Sequence, residues 1–199
     1  MSESEQLVRK SAIERVDEGL RQYMIKVFNY MGLGLVVTTL AAYVTLYTPV
    51  ITWMFSVDEA AQTVSLSALG WIITLAPLAM IFGFNAVLNK GSMAAAQAMF
   101  WAFSVVMGMS LADVGLLYTG ASIVNIFLKS SGLYYAISYI AVLTFTVLTA
   151  YDVQVIKNMY QSSDSEDNLS RKAIAGAMNL YLDFINLFIY LMRIMGDRK

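Results

Sequence analysis

The sequence contains no cysteine and no histidine. Without cysteine there is no disulfide framework, no thiolate nucleophile and no thiolate metal site. Without histidine the commonest general base and metal ligand are missing, so any proton chemistry falls to Asp, Glu, Lys and Tyr. Charge is scarce as well: Asp, Glu, Lys and Arg make up 14% of the 199 residues, where soluble domains carry about a quarter. Thirteen basic and fourteen acidic residues nearly cancel to a net −1, which removes the electrostatic basis for nucleic-acid binding. What remains is apolar, with 58% of the chain hydrophobic and a mean hydropathy of +0.62. These values exclude an ordinary cytosolic enzyme and a disordered tail, and describe an integral membrane protein whose first partner is the lipid bilayer.

A helix needs about 20 apolar residues to cross a hydrocarbon core of roughly 30 Å. Five segments meet that length: residues 27–47, 68–88, 93–118, 133–151 and 173–192. The fold class read from them is an all-α polytopic bundle, a single transmembrane domain over residues 27–196. Pro77 lacks an amide proton and predicts a kink in the second span. Residues 119–132 hold an apolar run too short to cross.

The first 26 residues differ. Leu7, Ile13, Val16, Leu20 and Met24 recur at helical spacing among Glu14, Arg15, Asp17, Glu18 and Arg21. This predicts an amphipathic helix at the interface or under the bundle, and no secretory signal, since Ser2, Glu3 and Glu5 stand at the wrong end for one. Arg9, Lys10, Arg15, Arg21 and Lys26 precede the first span, Lys90 lies between the second and third, and Lys157, Arg171 and Lys172 between the fourth and fifth. The opposite side offers Lys129, with Asp58 and Glu59 in the first outer loop. The bias predicts a cytoplasmic N-terminus. Arg193, Arg198 and Lys199 would then lie outside, unless the last segment enters and turns back.

Carboxylates in apolar segments are the sharpest functional signal, because each costs about 2.5–3.5 kcal/mol to insert. Asp152 stands in TAYDVQVIK and Asp183 in NLYLDFINLFIY. Asn179, Asp183, Asn186, Tyr190 and Arg193 share one face of the last helix, while Ile185, Leu187, Phe188 and Ile189 cover much of the rest. A polar stripe inside an apolar wrap belongs at a bundle centre, facing a polar or watered cavity. The bland reading of the stripe is inter-helix hydrogen bonding alone.

Asp152 and Asp183 lie on antiparallel neighbours joined by a polar loop. If they approach to about 4 Å, their repulsion is on the order of 4 kcal/mol at an effective dielectric near 20. Such a pair holds one proton, titrates as a unit, and becomes a cation site when the proton leaves. Calcium takes six to eight oxygens, so water, carbonyls and the Asn179 or Asn186 amides would complete a shell that suits passage better than storage.

Other features read as structural. Asp113 is an interfacial carboxylate, and Asp164, Glu166 and Asp167 form a solvated connector with Ser162, Ser163 and Ser165, or at most a weak cation-concentrating mouth. The thirteen Met residues are packing or lipid-facing groups. Gly32, Gly34, Gly108 and Gly115 suggest close helix contacts.

YDVQVIK (151–157) followed by NLYLDFINLFIYLMRIMG (179–196) resembles the C-terminal signature of the Bax inhibitor-1 family, the transmembrane Bax inhibitor motif proteins. VFNYMGLGLVVTTLAAYV (27–44) is similar to the family's first span, and AQAMFWAFSVVMGMSL (96–111) with LLYTGASI (116–123) to its third. The likeness runs from residue 21 onward and is nearest the bacterial branch. It implies outer helices around a central C-terminal one. It also implies a pH-sensitive calcium leak in a bacterial inner membrane, with gating by a protonated aspartate pair that falls on Asp152 and Asp183. Asn179 and Asn186 would line the route. Some bacterial members are linked instead to membrane protease regulation.

Two departures from the family pattern stand out. The family usually has six or seven helices, whereas YTGAS (118–122) here runs directly into IVNIFL (123–128), as if the fourth helix and most of the fifth were missing. Losing two helices preserves the orientation of all that follows but removes part of the bundle wall, so that either a homo-oligomer closes the gap or the pore is impaired. The arginine that latches the pair in some members has no counterpart in FGFNAVLNK (82–90), which offers Asn85 and Lys90.

The reading is a non-enzymatic channel without a cofactor, passing Ca²⁺ and sensing protons. The alternative is an interaction protein that binds a membrane protease or partner channel without conducting. An intramembrane aspartyl protease also uses two aspartates and a Tyr-Asp pair, but Asp183 sits in Leu-Asp-Phe with no flanking glycine and no Pro-Ala-Leu element after it.

Overall fold

Five long helices, with a short helix and a hairpin between the first two, form the structure, a computed structural model that describes residues 3–58, 63–112 and 131–195. In chain order these are α1 (Glu3–Tyr47), α2 (Ile51–Met54), β1 (Phe55–Asp58), β2 (Thr63–Leu66), α3 (Ala68–Lys90), α4 (Met93–Ser110), α5 (Ser131–Met159) and α6 (Glu166–Met195). Each of the five long helices carries a stretch long and apolar enough to cross a membrane. The chain is a polytopic all-α membrane protein.

Helix α1 is longer than the sequence suggests. Its 45 residues run unbroken through the polar first turns and the apolar span, a length of roughly 68 Å. The boundary at residue 26 is a change of chemistry and not of backbone, since neither proline nor a turn signal interrupts it. The third span also differs from expectation: α4 ends at Ser110, and residues 113–118 of the segment, including Asp113 and Gly115, lie outside the described residues. Helix α3 passes through Pro77 without interruption.

Serines set the helix starts. Ser67 accepts the Gly70 amide at 3.0 Å to cap α3, and Ser92 accepts that of Ala95 at 3.2 Å to cap α4, satisfying amides that have no partner within the helix. Ser67 also donates to the Trp53 carbonyl at 2.5 Å, tying α3 to α2. The hairpin pairs Phe55 with Leu66 and Asp58 with Thr63. It replaces what the sequence reads as an outer loop.

Helix α6 is the axis of the bundle. It packs against α5, α1 and α4, while α3 lies on α4. Ala173, Ile174, Ala177, Leu180 and Tyr181 of α6 are buried against Phe100 and Phe103 of α4, Val27 of α1 and Ile156 of α5. Small residues permit the approach. A methyl group built at Gly108 would stand 2.3 Å from the Thr38 carbonyl oxygen, and one at Gly34 2.9 Å from the Phe100 ring. Gly32, grouped with them on sequence, faces open space.

Just before this buried stretch of α6 two consecutive basic residues close two other helices. Arg171 donates to the Leu88 carbonyl of α3 at 3.0 Å, and Lys172 to the Met159 carbonyl of α5 at 2.9 Å. Both carbonyls belong to last helical turns, where backbone acceptors are orphaned and positive charge is favoured. Lys172 also pairs with Asp164 at 2.5 Å. Asp164 is half-buried and so departs from the solvated connector expected of it.

Candidate functional site

The α5–α6 hairpin brings the two intramembrane aspartates into one place. Ile156 of α5 packs into the notch at Gly176 of α6, where an added methyl would lie 2.9 Å from its Cγ2. Phe145 stacks on Tyr190 with ring centroids 5.9 Å apart. These two contacts fix an antiparallel register in which Asp183 faces Thr149, with Asp152 less than one turn away along α5. Asp183 accordingly interacts with both Asp152 and Thr149 across the helix pair.

The two carboxylates differ in surroundings. Asp183 is 8% exposed, and its Oδ2 is buried with no hydrogen-bond partner among the described residues. Asp152 is half-buried. A buried carboxylate oxygen without a donor is unfavourable. Two species remove the cost: a proton held between the pair, or a cation that accepts both groups as ligands. Among the described residues no third Asp or Glu joins them, so a bound cation would complete its shell from water and neutral oxygens.

The asparagines expected to line the route lie to one side. Asn179 is exposed and Asn186 half-buried. Both fall on the Asp183 side of α6, but the stripe is broader than the footprint of α5. At 100° per residue, Asn179 is turned about 40° and Asn186 about 60° away from Asp183 toward the open flank. Asn85 is exposed, and Arg171 of α6 reaches the last turn of α3 at the Leu88 carbonyl.

A second polar cluster, absent from the sequence expectations, is built on Tyr181, two residues before Asp183. Tyr181, fully buried, places its hydroxyl 2.5 Å from Thr38 Oγ1 of α1. Thr38 in turn reaches the Gly34 carbonyl at 2.9 Å and the Ser104 carbonyl at 3.0 Å. The threonine has one proton and gives it to a carbonyl, so the tyrosine donates and the threonine accepts. The only signal in the sequence is a tyrosine within an apolar run, where its hydroxyl requires a partner.

A polytopic helical bundle with a buried Asp183 and a half-buried Asp152 between its last two helices defines the class. The family model described as "Inhibitor of apoptosis-promoting Bax1" matches residues 20–124 and 114–199, and the chain belongs to the Bax inhibitor-1 family. It is 34% identical over 237 positions to the Rickettsia prowazekii protein RP147, covering 97% of each chain. It is 31% identical over 237 positions to the inner membrane protein YbhL of Escherichia coli, covering 96% of this chain and 98% of the relative. A Deinococcus radiodurans relative aligns end to end at 26% identity. No solved structure matches the chain.

That last alignment spans 242 positions and takes in all 199 residues of this chain, so 43 positions of it have no counterpart here. Forty-three residues is about two membrane-spanning helices. The two stretches matched by the family model meet at residues 114–124, where the sequence places the junction.

Proposed function

We propose that the protein is a pH-sensitive cation leak channel of a bacterial inner membrane, passing Ca²⁺ down its gradient with the N-terminus in the cytoplasm. The observation that supports this reading is the Asp183 carboxylate, buried within a turn of Asp152 and with one oxygen unpartnered among the described residues. The pair shares a proton when acid is abundant and receives a cation when the proton leaves. Ca²⁺ is the cargo and needs no resident cofactor, and no covalent chemistry is required of the chain. Asn179 and Asn186 lie beside the pair and supply neutral oxygens to an ion on its way past. The test is efflux from calcium-loaded liposomes. Wild type should leak at a rate that varies with pH, and Asp183→Asn should leak at a rate that does not. A pH-dependent leak unchanged by Asp183→Asn overturns the mechanism.

A second reading is favoured by the 43 positions this chain lacks relative to its Deinococcus relative. A bundle short of two helices offers packing surface to another membrane protein, such as a membrane protease, or to a second copy of itself. Co-purification of a stoichiometric protease with no flux through the pure protein would replace the channel by an interaction module.

A further inference from the structure

At the end of the bundle where α1 meets the α5–α6 connection lies a cavity of about 450 Å³, a size typical of small-molecule sites. Its lining carries both signs of charge: Lys26 from α1 and Glu166 from the start of α6. Neither forms an ion pair among the described residues. The Lys26 ammonium donates to the Ser170 hydroxyl at 2.6 Å, which leaves two of its three N–H donors and its full charge for another group. Tyr23, 4% exposed, also lines the cavity, and its buried hydroxyl has no partner among the described residues.

The cavity sits where α1 changes character. Glu14, Asp17, Glu18 and Arg21 are exposed on one side of it along the helix. On the other, Phe28, Leu33, Val36 and Leu40 are exposed, as befits a lipid-facing surface. Ile25, exposed at the cavity edge, marks the transition. The site therefore lies at headgroup depth, at an end of the bundle where acidic and basic side chains are mixed, with paired tyrosines of the kind found at such interfaces, Tyr23 and Tyr160 at 5.7 Å between ring centroids.

We propose that this cavity binds the zwitterionic headgroup of an ethanolamine phospholipid. The phosphodiester accepts from Lys26 and from the Tyr23 hydroxyl, and the primary ammonium donates to Glu166. Three properties of the lining select this headgroup. An anionic glycerol headgroup leaves Glu166 facing a negative group. A choline headgroup carries the positive charge but no N–H for the carboxylate to accept. A free anion leaves half of the charge pattern unanswered.

The proposal is tested by native mass spectrometry of the full chain released from nanodiscs made with equal parts of ethanolamine, choline and glycerol phospholipids. Wild type should retain one ethanolamine lipid per chain at about a tenfold excess over either competitor, the scale of one charge-assisted hydrogen bond. Glu166 is exposed at a helix start, so Glu166→Gln should fold normally, and it should bring ethanolamine down to the level of choline. Lys26→Met should lower retention of all three lipids, and Lys26→Arg should restore most of it. Release of the bound lipid by millimolar soluble glycerophosphoethanolamine would support the headgroup chemistry and show that it does not require the acyl chains. Equal retention of the three lipids by wild type, or an ethanolamine preference that survives Glu166→Gln, would overturn it.

Discussion

The Tyr181 hydroxyl lies 2.5 Å from the Thr38 hydroxyl and joins the central helix to the first one in the middle of the bundle. Its two ends are not equivalent. Thr38 keeps carbonyl partners at Gly34 and Ser104 if the tyrosine oxygen is removed, whereas the Tyr181 hydroxyl has Thr38 as its one partner among the described residues. Tyr181→Phe should therefore cost about 0.6–1.5 kcal/mol, and Thr38→Val about 1–3 kcal/mol because it strands a buried hydroxyl. Thermal melting in detergent checks the order, and a larger loss for Tyr181→Phe would contradict the assigned direction of donation.

The glycines separate by what stands opposite them. Gly108→Ala drives a methyl into the Thr38 carbonyl, and backbone cannot yield as a side chain can. A loss of about 1–3 kcal/mol is expected, with α1 and α4 forced apart. Gly32→Ala enters open space and should be neutral or slightly stabilising in the helix. Resistance to unfolding in mixed detergent micelles distinguishes the two.

If Asp152 and Asp183 share a proton that a cation must displace, cation affinity depends on pH with a definite sign. Acid fills the pair and weakens binding, and alkali empties it and strengthens binding. Over the range in which the pair releases its proton, the logarithm of the apparent Ca²⁺ affinity should rise by about one per pH unit. Calorimetric titration of the purified protein at several pH values measures the slope. Asp152→Asn and Asp183→Asn should each flatten it.

Lys172 serves two acceptors, the Met159 carbonyl and the Asp164 carboxylate. Lys172→Met should destabilise the α5–α6 connection by about 1–3 kcal/mol, since it leaves a half-buried carboxylate unpaired. Asp164→Asn keeps the carbonyl contact and should cost less, about 1 kcal/mol or below. Hydrogen exchange of the connection should accelerate in the first variant and change little in the second.

Much of this architecture is legible in the chain because a bilayer turns hydrophobic length directly into helices. The five apolar runs became five spanning helices, and the polar stripe around Asp183 marked α6 as the central one, since only a helix shielded from lipid can carry a carboxylate at that depth. Gly34 and Gly108 were readable as contact points. Gly32 was not separable from them, because spacing along a helix does not say where the neighbour sits. Asn179 shows the same limit: its spacing puts it on the side of Asp183, and its exposure comes from where α5 sits. The hairpin escaped notice because Phe55–Asp58 and Thr63–Leu66 are too short to show a period. The Tyr181–Thr38 and Lys26–Ser170 links join residues more than a hundred positions apart, and no local pattern announces either.

Arg171 and Lys172 are neighbours in sequence, and successive side chains on a helix diverge by about 100°. That divergence lets one turn of α6 grip α3 with one hand and α5 with the other. The end of α6 that carries these two residues is thus clamped on two sides, while Asp183 lies three turns further along. A shift of Asp183 relative to Asp152 would then pivot about the clamped turn and would carry the Tyr181 hydroxyl away from Thr38.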